Sequence, residues 1–361
     1  METGARIGKY ALEEKLGQGG NGEVYAARDT VLGRRVAVKV LHSQLVTDAT
    51  VASRFRQEAQ AMASLSHPNV VVMHDFVSDG ARWAIVMELV EKGETLASLI
   101  KREGRLAPAR ALRILTGVAS ALGQAHARGI VHRDVKPANV LVLRDRSIET
   151  AKLTDFGIAR VIHGERRTNA QLTLGTLWYI APEQAQSSVV DARADVYSLG
   201  ATLYEALTGR VIFPYDNVAR VLAAHIAETP PRPSQLVQGI SPSLDRLVMR
   251  TIAKPPDERP ASGDALAALM AECLAELEGV SAFPATRAAG EMQASIAAAR
   301  ASARPLSSPP SSATPSVTGP GQGVSAEAGR LGLYIGLGAL TLVTGACLLG
   351  SLLFVLSFVL R

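Results

Sequence analysis

Cysteine is almost absent: Cys273 and Cys347 are the only two in 361 residues. Two cysteines in unlike neighbourhoods exclude a disulfide framework and fit a reducing compartment. The stretch from Met1 to Tyr10 lacks an apolar run, so no cleavable leader is expected. Blocks of like charge are missing as well. Lys and Arg total 38 against 33 Asp and Glu, a formal net charge of +5. Because the two signs are interspersed, no nucleic-acid-binding surface is expected. The slight basicity suits a solvated surface that attracts anionic ligands or lipid headgroups.

A chain of this length holds two average domains, or one larger two-lobed body with accessory segments. The texture changes near residue 91. Before it, strand patterns run over Tyr10 to Leu16, Val24 to Arg28, Arg35 to Leu41, Val70 to Phe76 and Trp83 to Leu89. A helix is expected over Val51 to Leu65, with Phe55, Ala59 and Met62 on one face. After residue 91 helices dominate. Leu112, Leu115, Val118, Ala119 and Leu122 share a face in a helix closed by Gly129, and Val196, Leu199, Leu203 and Leu207 share one in a helix closed by Gly209. The expectation is an α+β body, with a small β-rich lobe over about 10–90 and a larger helical lobe over about 91–271. A tail (1–9) precedes it. An Ala/Pro/Ser-rich linker (272–330) follows it, too poor in bulky apolar residues between Ala303 and Gly323 to fold.

Three segments carry chemistry. Gly17-Gln18-Gly19-Gly20-Asn21-Gly22-Glu23-Val24 fits G-x-G-x-x-G-x-V, in which glycines let backbone N–H groups approach phosphates. A dinucleotide-binding fingerprint shares this spacing but opens a helix, whereas here a second strand follows. In Val36-Ala37-Val38-Lys39 the period of two puts Ala37 and Lys39 on one face, a small residue beneath a flat base and an ammonium within reach of phosphates. Glu58, on the helix that follows, is the expected partner of Lys39. The third segment is His132-Arg133-Asp134-Val135-Lys136-Pro137-Ala138-Asn139, followed by Asp155-Phe156-Gly157. It supplies two carboxylates, an ammonium and an amide at spacings suited to two metal ions and a phosphate chain. One of those carboxylates is separate enough to serve an incoming hydroxyl.

In this order the segments resemble the signature of bacterial eukaryotic-like serine/threonine protein kinases of the membrane-associated type, over about residues 10 to 271. The resemblance implies the two-lobed protein-kinase fold, ATP as phosphoryl donor, Mg2+ (or Mn2+) as cofactor and proteins as substrates. Asp134 is then the base for the substrate hydroxyl, Lys136 neutralises the transferring group, and Asn139 and Asp155 hold the metal. The glycine loop (Gly17, Gln18, Gly19, Gly20, Asn21 and Gly22), with Val24, Ala37, Lys39, Glu88 and Val90, is implied to bind ATP. Asp134-x-Lys136-x-x-Asn139 and Gly175-Thr176 ahead of Ala181-Pro182-Glu183 resemble the serine/threonine-directed form, with Thr176 touching the catalytic pair. Glu183 with Arg259, and Asp195 beneath the catalytic loop, are implied to be structural. Arg133 implies control by phosphorylation of the activation loop, at Thr168 first and Thr173 second. The chain departs from the resemblance at the loop tip, Gly20-Asn21, and in a long charged connection from Arg144 to Thr150.

From Leu331 to Leu360 no residue carries a formal charge, a run longer than the roughly 20 residues that cross a bilayer. A single transmembrane helix over 331–360 is therefore expected, with the catalytic body on the cytoplasmic side and nothing beyond the span but Arg361. Arg330 before it agrees with the positive-inside rule. Gly332 and Gly336 form a G-x-x-x-G pair that can support a homodimer. The competing reading is a pseudokinase scaffold, against which stands the presence of every group needed for transfer.

Overall fold

The computed structural model describes residues 4–19, 22–42, 62–79, 82–146, 148–156, 174–186 and 189–279. Gly20, Asn21, Glu58, Gly157, Thr168, Thr173, the linker beyond 279 and the expected span over 331–360 lie outside them. No helix among the described residues is long and apolar enough to cross a membrane.

Six antiparallel strands form the first sheet. They are β1 (Arg6–Ile7), β2 (Tyr10–Gly19), β3 (Gly22–Asp29), β4 (Arg35–Leu41), β5 (Met73–Asp79) and β6 (Arg82–Met87), in spatial order β1-β2-β3-β4-β6-β5. β1 falls in the segment read as a tail, and the expected strands at 70–76 and 83–89 are shifted to 73–79 and 82–87. β4 is buried on both faces and rich in valine, which suits a central strand. Strand parity sorts its side chains into two cores: Val36, Val38 and Val40 join Tyr10, Leu12 and Val86 on one face. Ala37 and Leu41 join Trp83, Ile85 and Met87 on the other. Lys39 belongs by parity to that second face.

The helical lobe is built on α1 (Leu96–Glu103), α2 (Pro108–His126), the short turns α3 (Leu174–Leu177) and α4 (Pro182–Ala185), α5 (Ala192–Thr208), α6 (Val218–Ala227), α7 (Pro233–Leu236), α8 (Pro242–Thr251) and α9 (Gly263–Leu277). Helix α9 runs past the expected boundary at 271. In α2, Leu112, Leu115, Val118 and Leu122 are fully buried, each contributing about 1.5–3 kcal/mol of hydrophobic stabilisation. Helix α5 is buried almost all round, as a helix at the centre of a lobe must be. Gly209 closes it in the left-handed region (φ 70°), its N–H reaching Glu205 O. Helix α2 ends earlier than expected, at His126, and Gly129 (φ 72°) completes the turn that follows.

A second sheet, β7 (Glu94–Thr95), β8 (Val140–Asp145) and β9 (Ile148–Leu153), lies between the helices and the cleft. The charged connection expected over Arg144 to Thr150 is instead mostly strand, with Asp145 paired to Ile148 across a tight turn that puts Arg146 at φ 53°. Arg110 anchors it from α2, its Nε 2.6 Å from Glu149 Oε2.

One ion pair locks the segment that carries α3 and α4. Arg259 meets Glu183 with both terminal nitrogens, at 2.7 and 3.0 Å. Its remaining donors go to the carbonyls of Ala253, Lys254 and Arg193, and the Tyr197 ring lies 4.8 Å from the guanidinium. Both partners are buried, so removing one strands a charge. Arg259→Met is expected to cost about 3–5 kcal/mol in urea unfolding of the full chain; a loss below about 1 kcal/mol would show the pair to be dispensable.

Candidate active site

A cleft of about 980 Å3 separates the first sheet from the helical lobe. Gly17, Gln18, Gly19, Gly22, Val24, Ala37 and Lys39 line it from above, Glu88 and Val90 from its rear edge, and Asp134, Lys136, Asn139, Asp155 and Thr176 from below. Thus fourteen of the residues singled out in the sequence meet around one cavity. Arg133 does not line it.

The upper wall is the β2–β3 hairpin. Around Gly17 and Gly19 the space where a Cβ would stand is open, which leaves a cradle for a bulky anion. Gly22 has a different reason: at φ 157° an added Cβ would sit 2.1 Å from Val40 O on the neighbouring strand. Gln18 is tied to Lys15, whose Nζ also lies 2.6 Å from Glu23. The apolar wall residues not singled out from the sequence include Leu16, Met87, Leu89 and Leu141. Met87 was open to discovery, since in antiparallel register it faces Ala37 across β4 and β6.

The floor is a loop held in an uncommon conformation. Arg133 has φ 66°, a region that costs a non-glycine residue about 1–3 kcal/mol unless its surroundings fix it. Asp195, fully buried at the start of α5, does so: its Oδ2 accepts from His132 N and its Oδ1 from Arg133 N, both at 2.7 Å. His126 Nδ1 accepts the Gly263 N–H at 3.1 Å, which leaves Nε2–H to donate to Asp195 Oδ2 at 3.0 Å. Gln184 Nε2 donates to Arg133 O. His132, also fully buried, donates through Nε2 to Thr154 O at 2.9 Å and accepts Asp134 N–H at Nδ1. Its ring lies 4.5 Å from that of Phe156.

Above this floor the polar groups converge. Lys136 Nζ donates to both Asp134 oxygens, at 3.1 and 2.9 Å, and to Thr176 Oγ1 at 2.8 Å. Asn139 Nδ2 donates to Asp134 O at 2.7 Å, which leaves Oδ1 as the oxygen available to a cation. Lys39 Nζ lies 2.7 Å from Asp155 Oδ2; the sequence-expected partner, Glu58, is outside the described residues. Asp155 sits at φ 65°. Burial pushes its carboxyl up, but the Lys39 ammonium, helped by Lys136, outweighs this and holds it below the ordinary value. Glu88 lines the cavity at its rear edge, and its carboxylate meets Lys152 Nζ at 2.8 Å and Val72 N at 3.3 Å.

Among the described residues no cluster of three or more His, Cys, Asp or Glu could hold a metal by itself. The Asn139 amide and the Asp155 carboxylate are nevertheless two hard oxygen donors. They fit Mg2+, which keeps several waters and shares substrate phosphates.

The protein kinase domain family model matches residues 10–271. The chain is 42% identical over 281 residues to a probable serine/threonine-protein kinase of Streptomyces coelicolor, covering 76% of this chain and 41% of that protein. It is 43% identical over 257 residues to the serine/threonine-protein kinase PknB of Mycolicibacterium smegmatis, covering 70% of this chain and 40% of the other. The chain therefore spans about two fifths of the length of these relatives. A crystal structure of a double mutant of the Mycobacterium tuberculosis PknI kinase domain is similar with a TM-score of 0.63 at 28% identity, over 76% of this chain and 99% of that one.

The electrostatics give a direct test. A carboxyl held down by a cation contributes stability above its unfolded pKa of about 3.9 and loses it as pH falls through the lower folded value. In Lys39→Met the same burial acts without the ammonium, so the Asp155 pKa is expected to rise. Carboxyl-carbon NMR titration of wild type and variant reads the shift, and an unchanged or lowered value would contradict it.

Proposed function

Because the chain belongs to the protein kinase domain family, we propose that it transfers the ATP γ-phosphoryl group to serine or threonine hydroxyls of proteins. The arrangement that carries this reading is Lys136, whose ammonium joins the Asp134 carboxylate and the Thr176 hydroxyl in one contact set. An acceptor hydroxyl at Asp134 forms a bond from its oxygen to the γ-phosphorus, while the bond from that phosphorus to the bridging oxygen breaks and ADP leaves. The hydroxyl proton passes to a carboxylate oxygen of Asp134. Lys136 offsets charge on the transferring group and Lys39 on the donor's phosphates, and both are fixed before reaction, which is where electrostatic catalysis gains most. Asn139 and Asp155 would hold Mg2+, which would supply further compensation of phosphate charge.

The same reading extends to control and location. Arg133 and the threonines of the activation segment support activation by autophosphorylation, at Thr168 before Thr173. The uncharged run from Leu331 to Leu360 supports a single span that tethers the catalytic body at the cytoplasmic face of the cell membrane, with Gly332 and Gly336 as a packing face between copies.

Incubating the full chain with Mg-ATP is expected to label serine and threonine, with activation-segment sites found by mass spectrometry. Asp134→Asn and Lys39→Met are each expected to lower the rate by at least about a hundredfold. Equal labelling in all three proteins would refute the mechanism, and no labelling of wild type would leave a binding scaffold. For location, the full chain is expected in the carbonate-resistant membrane fraction and the chain lacking 331–360 in the supernatant; the same distribution for both would overturn the tether.

A further inference from the structure

Glu88 is the first residue after β6, where the chain leaves the first sheet and enters the rear edge of the cleft. Its main chain lies along Val72, with Glu88 N donating to Val72 O at 2.8 Å. Its side chain returns to the same residue, accepting Val72 N at Oε2, and meets Lys152 at 2.8 Å through that same oxygen. Lys152 is on β9, in the other sheet, opposite Leu141 of the cavity wall. The side chains are 19% and 29% exposed for Lys152 and Glu88, so solvent screens this pair less than a surface one.

The position of Lys152 gives the contact its significance. Asp155, the metal-directed carboxylate, lies three residues further along, two beyond the end of β9. Glu88, at the other end of the contact, begins the edge that borders the flat, apolar part of the cavity between Ala37 and Leu141. One ion pair thus couples the edge that would meet a nucleotide's base to the strand end that would meet its phosphates. We propose that Glu88 and Lys152 are positioning residues that fix this spacing, and so set affinity for a metal-bound nucleotide without touching the reacting atoms. The proposal rests on the ATP-binding reading above.

A device that fixes a span matters only for a ligand that engages both ends. For the full chain, Lys152→Met and Glu88→Gln are each expected to weaken Mg-ADP binding in titration calorimetry by about threefold to tenfold. KM for ATP should rise equally while kcat stays within about twofold. Adenosine, which lacks phosphates, should bind wild type and variants alike. Lys152→Arg should remain near wild type. Equal weakening of adenosine and Mg-ADP would reveal local damage to the edge and overturn the proposal, as would unchanged Mg-ADP binding. Should Lys152→Met fail to fold, the isosteric Glu88→Gln carries the same test. If wild type binds Mg-ADP but transfers no phosphate, the kinase reading fails while the positioning role is still decided by the binding data.

Discussion

The site depends on a buried carboxylate that touches no reactant. Asp195 is fully enclosed, and a carboxylate removed from water is tolerated only where hydrogen bonds replace its solvation. Two backbone N–H groups and one imidazole N–H do this, and charge-assisted bonds of this kind are about twice as strong as neutral ones. The requirement runs both ways. The carboxylate needs the N–H groups of His132 and Arg133, and the loop, strained at Arg133, needs a rigid acceptor to hold it. Since α5 is buried almost all round, its N-terminus cannot drift, and Asp134 and Lys136 inherit that rigidity one and three residues after Arg133.

How much of this could be read from the sequence follows from the range of each interaction. Lys39 and Ala37 share a face because a strand alternates, and the sorting of β4 into two cores bears that out. Gly209 closes α5 as its left-handed cap, a demand made within one turn of chain. Asp195, Glu183 and Arg259 were reached through resemblance, and their geometry supplies the physical reason: each completes the hydrogen bonding of a buried group. What stayed illegible lies where the deciding partner is distant. The charged connection from Arg144 to Thr150 is mostly a strand hairpin, and one of its charges, Glu149, is paired by Arg110 on α2. Glu88 lines the cavity as expected, but its carboxylate partners, Lys152 and Val72, lie far from it in the chain. No local pattern announces a partner that far along the sequence.

These long-range contacts concentrate on one strand. β9 pairs with β8, and its end is gripped by the segment that leads to β5: Leu153 N donates to Asn69 O, Val71 N to Leu153 O, and Asn69 Nδ2 to Ala151 O. Asn69 is itself packed into a space at Gly117 of α2 that has no room for a side chain. The first sheet is therefore joined to the second by a short ladder as well as by the covalent connection after Met87. Asp155 emerges from the end of that ladder, so its carboxylate belongs to the seam between the two sheets. Lys39, from the centre of the first sheet, reaches it across the cleft. A displacement of one sheet against the other would lengthen that ion pair before it disturbed Asp134, Lys136 and Thr176, which all stand on the helical lobe. Asp134 and Lys136 are thus built into a single rigid support, while the Lys39–Asp155 pair is divided between two. It follows that relative motion of the sheets acts on the Lys39–Asp155 contact first and leaves Asp134, Lys136 and Thr176 assembled.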